Sequence, residues 1–147
     1  MTHSDAGRYA AKHGKGGSPD EKVAAFCRAK VTAGELACAD AEQISGELGV
    51  TMAEVGRTAD LLEIRIGRCQ LGLFGYDAPG GRIVRPAEAE GVEPALEAAI
   101  RGRLSNGRLP CSAAWEIATD RKVPRLNVSS ACEVLKIKVK PCQLGAF

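Results

Sequence analysis

The chain has 147 residues and a formal net charge of +2, with 45% hydrophobic and 26% charged residues, a globular composition with room for one ordinary domain or two very small ones. Aromatics are only 4%, so Ala, Leu, Ile and Val must build the core, which favours closely packed helices. No apolar run approaches the ~20 residues of a bilayer span, the N-terminus lacks the apolar region of a secretory signal, and both histidines, His3 and His13, lie in a polar leader, away from any catalytic or metal-binding cluster.

Residues 1–18 read as a flexible leader. Gly14-Lys15-Gly16-Gly17-Ser18 evokes a phosphate loop but lacks its full spacing and a preceding strand. Pro19-Asp20-Glu21 opens a helix, with Asp20 at its N-terminus and Val23, Phe26, Cys27, Lys30 and Val31 at helical spacing. Gly34 stops it, and Glu35-Leu36-Ala37 is a short extended piece. A second helix over about 38–48 carries Ala41, Ile44 and Leu48 on one stripe. A turn at Gly49-Val50-Thr51 follows, and Thr51 caps a third helix over about 52–62 with Val55, Ala59 and Leu62 inward. Residues 63–68 alternate polar and apolar, as a half-buried strand does. Residues 76–92, with Pro79, Gly80, Gly81 and Pro86, read as a linker.

The same order then returns. Shifted by 73 positions, 20–74 falls on 93–147 without a gap, with 16 of 55 positions identical. Among them are Gly34/Gly107, Leu36/Leu109, Cys38/Cys111, Ile44/Ile117, Val55/Val128 and Ile64/Ile137. Cys69-Gln70-Leu71-Gly72 recurs as Cys142-Gln143-Leu144-Gly145. The chain therefore divides into a leader (1–18), repeat 1 (19–75), a linker (76–92) and repeat 2 (93–147). Repeat 2 departs in its turn, where Leu48 and Gly49 become Arg121 and Lys122, and Pro124 sits where its third helix begins. Its strand, Lys136-Ile137-Lys138-Val139-Lys140, is cut short by Pro141. The strands 63–68 and 136–140 offer each other a pairing edge.

Ile44, Gly49 and Val55 stand at the offsets of a helix-turn-helix, an aliphatic residue, a turn glycine and a second aliphatic residue. The stretch 41–55 resembles that pattern, and Gly-x-Leu before the second helix is similar to the entry of gluconate-repressor-type winged helices. The doubled CQLG unit also resembles that of small bacterial tandem-repeat proteins. The resemblance implies a mainly α protein with short β pieces, built as two winged-helix-like trihelical repeats related by a pseudo-twofold axis. It implies double-stranded DNA as partner. Composition, with no Ser/His/Asp constellation, sets the expectation of a cytoplasmic protein that is not an enzyme.

Charge places the expected DNA surface in repeat 2. Residues 93–147 carry nine bases and five acids, or +4, and residues 20–75 carry six bases and nine acids, or −3. Arg121, Lys122, Arg125, Asn127, Ser129 and Ser130 surround the third helix of repeat 2, and Lys136, Lys138 and Lys140 share one strand face. Such donors suit base edges and phosphates. The alternative is an adaptor that contacts a protein partner, or a second copy in a homodimer, through the helical face around Trp115. No membrane partner is expected.

Four of six cysteines are repeat-matched: Cys38 with Cys111, and Cys69 with Cys142. Three readings are open: small apolar core filler, ligands of zinc or an iron–sulfur cluster without a CxxC knuckle, or reversible disulfides. Otherwise no cofactor is expected. Cys27 and Cys132 face Ile100 and Ala59 in the alignment and read as packing. Gln70 and Gln143 read as amides that tie down the strand exit.

Overall fold

The computed structural model of the chain describes residues 9–13, 18–85 and 91–147. Within them stand six α-helices: α1 (Glu21–Lys30), α2 (Cys38–Leu48), α3 (Met52–Leu61), α4 (Pro94–Arg101), α5 (Cys111–Arg121) and α6 (Arg125–Leu135). The only strands named among them are β1 (Glu35–Ala37) and β2 (Arg65–Gly67). The protein is thus mainly helical with a short β element. No helix among the described residues is long and apolar enough to cross a membrane.

Local chemistry sets the boundaries. The Asp20 carboxylate accepts from the N–H groups of Lys22 and Val23 and starts α1. The Thr51 hydroxyl oxygen accepts from the Glu54 N–H and starts α3. Gly49 ends α2 in the left-handed region at φ 64°, and Lys122 ends α5 there at φ 56°. The turn of repeat 2 therefore keeps its geometry without glycine, at the cost of strain in a residue with a Cβ. Gly34 and Gly107 do not stop α1 and α4 directly. They hold the second central position of tight turns that pair Thr32 with Glu35 and Ser105 with Arg108. Both central residues have positive φ, Ala33 (52°) with Gly34 and Asn106 (52°) with Gly107, as a type I′ turn requires.

The chain forms two compact units, which depart from the repeat boundaries. Unit 1 holds residues 1–69 and 143–147, and unit 2 holds residues 70–142. The tail that follows each repeat's cysteine thus belongs to the other repeat's unit. In unit 1, α1 packs on α2 and α3, and Val23, Ala24, Cys27, Leu36, Ile44, Val55 and Ile66 form the buried interior. β1 and β2 run parallel, with Leu36 opposite Ile66. In unit 2, α4, α5 and α6 pack on one another around Ile100, Leu109, Ile117 and Val128. Leu109 makes the matching parallel bridge to Val139. The expected pairing of 63–68 with 136–140 is corrected: each segment pairs with the extended piece of its own unit, because a parallel partner lies there before the second helix. The described residues show no hairpin after β2 or after Val139, where a winged helix carries its wing.

Two further expectations change. Within the leader, 9–13 forms a 310 turn on α3. Glu63 accepts from the N–H groups of Tyr9 (3.0 Å) and Ala10 (2.8 Å), and Tyr9 is buried. Within the linker, Val84 is buried in unit 2, and the N–H groups of Ile83 and Val84 donate to the Gly72 carbonyl. Residues 1–8, 14–17 and 86–90 lie outside the described residues, and with them the phosphate-loop comparison and Pro86.

Two substitutions test these constraints. A Cβ on Gly56 of α3 would overlap the Leu144 backbone, so Gly56→Ala lowers stability by about 1–3 kcal/mol in urea unfolding. Ala33→Asn relieves a left-handed alanine, and it raises the urea midpoint with a gain of about 0.5–1 kcal/mol.

Candidate functional site

The helix-turn-helix reading makes α6 the groove-entering helix of unit 2. Its surroundings are therefore decisive. Ser129 is buried, and its hydroxyl donates to the Leu71 carbonyl at 2.6 Å, with the Leu126 carbonyl at 3.0 Å. Gly72 comes so close to Leu126 that a Cβ on it would press into that side chain. Arg82, on the segment after the tail, pairs with Glu133. Leu71, Gly72 and Arg82 thus lie against α6, and among its residues only Asn127 is exposed. Arg125 is half-buried. Its guanidinium stacks on the Trp115 ring at 3.7 Å from the centroid, and its Nη1 donates to Gln70 Oε1 at 2.8 Å.

These contacts correct two of the expected DNA-facing residues. Ser129 cannot reach a base edge, because a buried hydroxyl satisfies a buried carbonyl there. Arg125 serves packing within unit 2, held by a cation–π contact and an amide. Helical spacing hid both facts, since periodicity says which face points away from the repeat's own core, not what covers that face. Gln70 does hold a strand exit in place, through Arg125.

Unit 1 treats α3 in the same way. Leu144 and Ala146 of the tail are buried, and the Leu144 backbone lies against Gly56. Gly56 and Ser129 occupy the same repeat position. Asp60, 2% exposed, accepts from His13 Nε2 at 2.8 Å and pairs with Lys12 at 3.0 Å. Lys12 also donates to the Gly145 carbonyl at 3.3 Å. Asp60 and Glu133 match in the repeat as well, and each ties down basic residues from the segment preceding its own repeat. Sequence reasoning passed over these segments. The signal was present as Gly7-Arg8-Tyr9-Ala10 against Gly81-Arg82-Ile83-Val84, one residue out of register with the main alignment.

The remaining expected residues fall at two ends of α5. Arg121 and Lys122 are exposed at its C-terminus, where Arg121 pairs with Glu93 at 3.5 Å. Lys138 and Lys140 flank Val139, whose bridge to Leu109 lies two residues before the start of α5. An 11-residue helix is about 16 Å long, so one continuous patch does not form. Ser130 is half-buried. Lys136, Lys138 and Lys140 are exposed, with Ile137 and Val139 half-buried between them, but Lys136 is the left-handed C-cap of α6 (φ 56°), so the expected strand alternation holds only around Val139. Arg108, beside Leu109, is exposed too. Arg108, Lys138 and Lys140 have the parity opposite to the bridged pair Leu109 and Val139, so they share an outward face. Neither these three nor Lys136 forms an ion pair with a described residue.

None of the six cysteines is in a disulfide. Among the described residues, no three His, Cys, Asp or Glu side chains gather closely enough to hold a metal ion. Cys132 is 1% exposed, and burial, aided by Glu133, pushes its thiol from 9.0 up to about 11. Burial also raises Cys27, partly offset by Arg28. Compared with protein-family models, curated proteins and solved structures, the chain matches none.

The Cys132 thiol sets a pH dependence. Between about pH 9 and 11 the unfolded chain releases a proton that the folded chain keeps, so stability falls as pH rises through that window. The loss is of order 2–3 kcal/mol for a shift of this size. Cys132→Ala, which installs the residue type that repeat 1 has at Ala59, removes it. In urea melts the gap between wild type and variant narrows from pH 9 upward; a constant gap refutes the assignment.

Proposed function

We propose that the protein binds double-stranded DNA through phosphate contacts made by unit 2, without a helix entering the major groove. The observation that carries this reading is the outward strip of Arg108, Lys138 and Lys140, exposed and without acidic partners among the described residues. Successive lysines two apart on an extended chain are separated by about 6.6 Å, comparable to neighbouring phosphates along one strand. Cations facing phosphates release condensed counterions, which supplies affinity without base readout. Arg121 and Lys122, at the far end of α5, extend such contacts to a second point of the backbone. The burial of Ser129 and the stacking of Arg125 favour backbone contact over sequence recognition.

Fluorescence anisotropy with a labelled duplex tests this. With the three cations of the strip and Arg121 and Lys122 each meeting one phosphate, log K falls with log salt at a slope of about −4 to −5. Lys138→Ala lowers affinity alike for unrelated sequences and reduces the slope by about 1. No binding at low salt removes the DNA reading and leaves the adaptor as the function to pursue.

A further inference from the structure

Of the six cysteines, five are buried and Cys142 is half-buried. Cys142 follows Pro141, whose carbonyl accepts the Cys111 N–H at 3.0 Å. The bond seats Cys111, the first residue of α5, beside the Pro141–Cys142 peptide, just past the Leu109–Val139 bridge, whose register puts Pro141 opposite Cys111. Chain segments joined by such a backbone bond lie about 4.8 Å apart, within the Cα separation of about 4.4–6.8 Å that a disulfide spans. Cys111 and Cys142 both belong to unit 2, and both recur at Cys38 and Cys69 although most of the repeat has diverged.

The geometry points to Cys111 and Cys142 as a dithiol modification site that a hydroperoxide oxidises to a disulfide within unit 2. The half-buried Cys142 meets the oxidant first. Its thiolate sulfur attacks the peroxide, the O–O bond breaks, and one oxygen stays on sulfur as a sulfenic acid while the other leaves as an alcohol, or as water from hydrogen peroxide. The Cys111 sulfur then attacks the Cys142 sulfur. The S–S bond forms, the S–O bond breaks, and the hydroxyl leaves as water with the proton of the Cys111 thiol. Two thiols lose two electrons in all, and one peroxide bond gains them.

The other cysteines are set apart from this chemistry. Cys38 and Cys69 are 6% and 5% exposed, so the equivalent pair of unit 1 is shielded from a dissolved oxidant. Cys27 and Cys132 are buried, and their raised thiols stay protonated and unreactive at neutral pH. The site is independent of DNA binding, because none of the cations of the basic strip takes part.

Peptide mapping of the full chain after hydrogen peroxide treatment, with remaining thiols alkylated in denaturant, reads the outcome. The expected product is a peptide pair joining Cys111 to Cys142, two hydrogens lighter than the separate peptides and released by dithiothreitol. In Cys111→Ser, dimedone traps a sulfenic acid on Cys142; in Cys142→Ser, the joined pair is lost. A wild-type chain whose Cys142 stays reduced, oxidises further without joining Cys111, or joins another cysteine overturns the assignment.

Discussion

A backbone carbonyl laid against the middle of a helix leaves almost no choice of side chain at the point of contact. In unit 1 the Leu144 backbone meets α3 at Gly56, and in unit 2 the Leu71 carbonyl meets α6 at Ser129. One position is answered by an empty side chain and the other by a hydroxyl that donates a hydrogen bond, which a buried carbonyl needs. The same tail makes both contacts, and it is the longest run of identity between the repeats, Cys-Gln-Leu-Gly. Each tail completes the unit of the opposite repeat. The tail is thus retained as a docking element, with its leucine buried and its backbone pressed on a helix.

A second layer covers the same helices by charge. Asp60 is nearly fully buried, and a carboxylate so placed costs solvation unless cations meet it. Lys12 does so in unit 1, with His13 Nε2 in hydrogen-bond contact, and Arg82 meets the more open Glu133 in unit 2. Removing one member of a buried pair leaves the other uncompensated, which makes such ties more consequential for specificity than for net stability. The tail and the segment that carries Lys12 and His13, or Arg82, thus cover α3 and α6. Lys138 and Lys140 lie elsewhere, on the outward face beside the Leu109–Val139 bridge.

The cysteines divide by environment. Cys27 and Cys132 sit inside α1 and α6, where a thiol acts as a small hydrophobe and burial suppresses its ionisation. Cys111 and Cys142 sit where two chain segments run parallel at the start of α5. The second pair is brought close by the Cys111 N–H bond to the Pro141 carbonyl, so its proximity is a property of the fold, although its members lie 31 residues apart in the chain.

The sequence by itself determined the local structure. The capping residues Asp20 and Thr51 and the aliphatic spacing specify α1, α2 and α3 nearly to the residue, because caps and helical periodicity act within one turn of chain. Alternation around Val139 likewise put Lys138 and Lys140 on one outward face, whereas Lys136 closes α6 in the left-handed region. The repeat fixed that this order occurs twice. Only the tertiary structure decided what lies on the outer faces of α3 and α6. The tail, the 310 turn and Arg82 reach those faces from chain segments far from the helices they cover, and nothing in the periodicity of α6 distinguishes a face that meets solvent from one that meets Leu71. Ser129 and Arg125 were read as outward for that reason; long-range packing buries Ser129 and engages the half-buried Arg125 with Trp115 and Gln70.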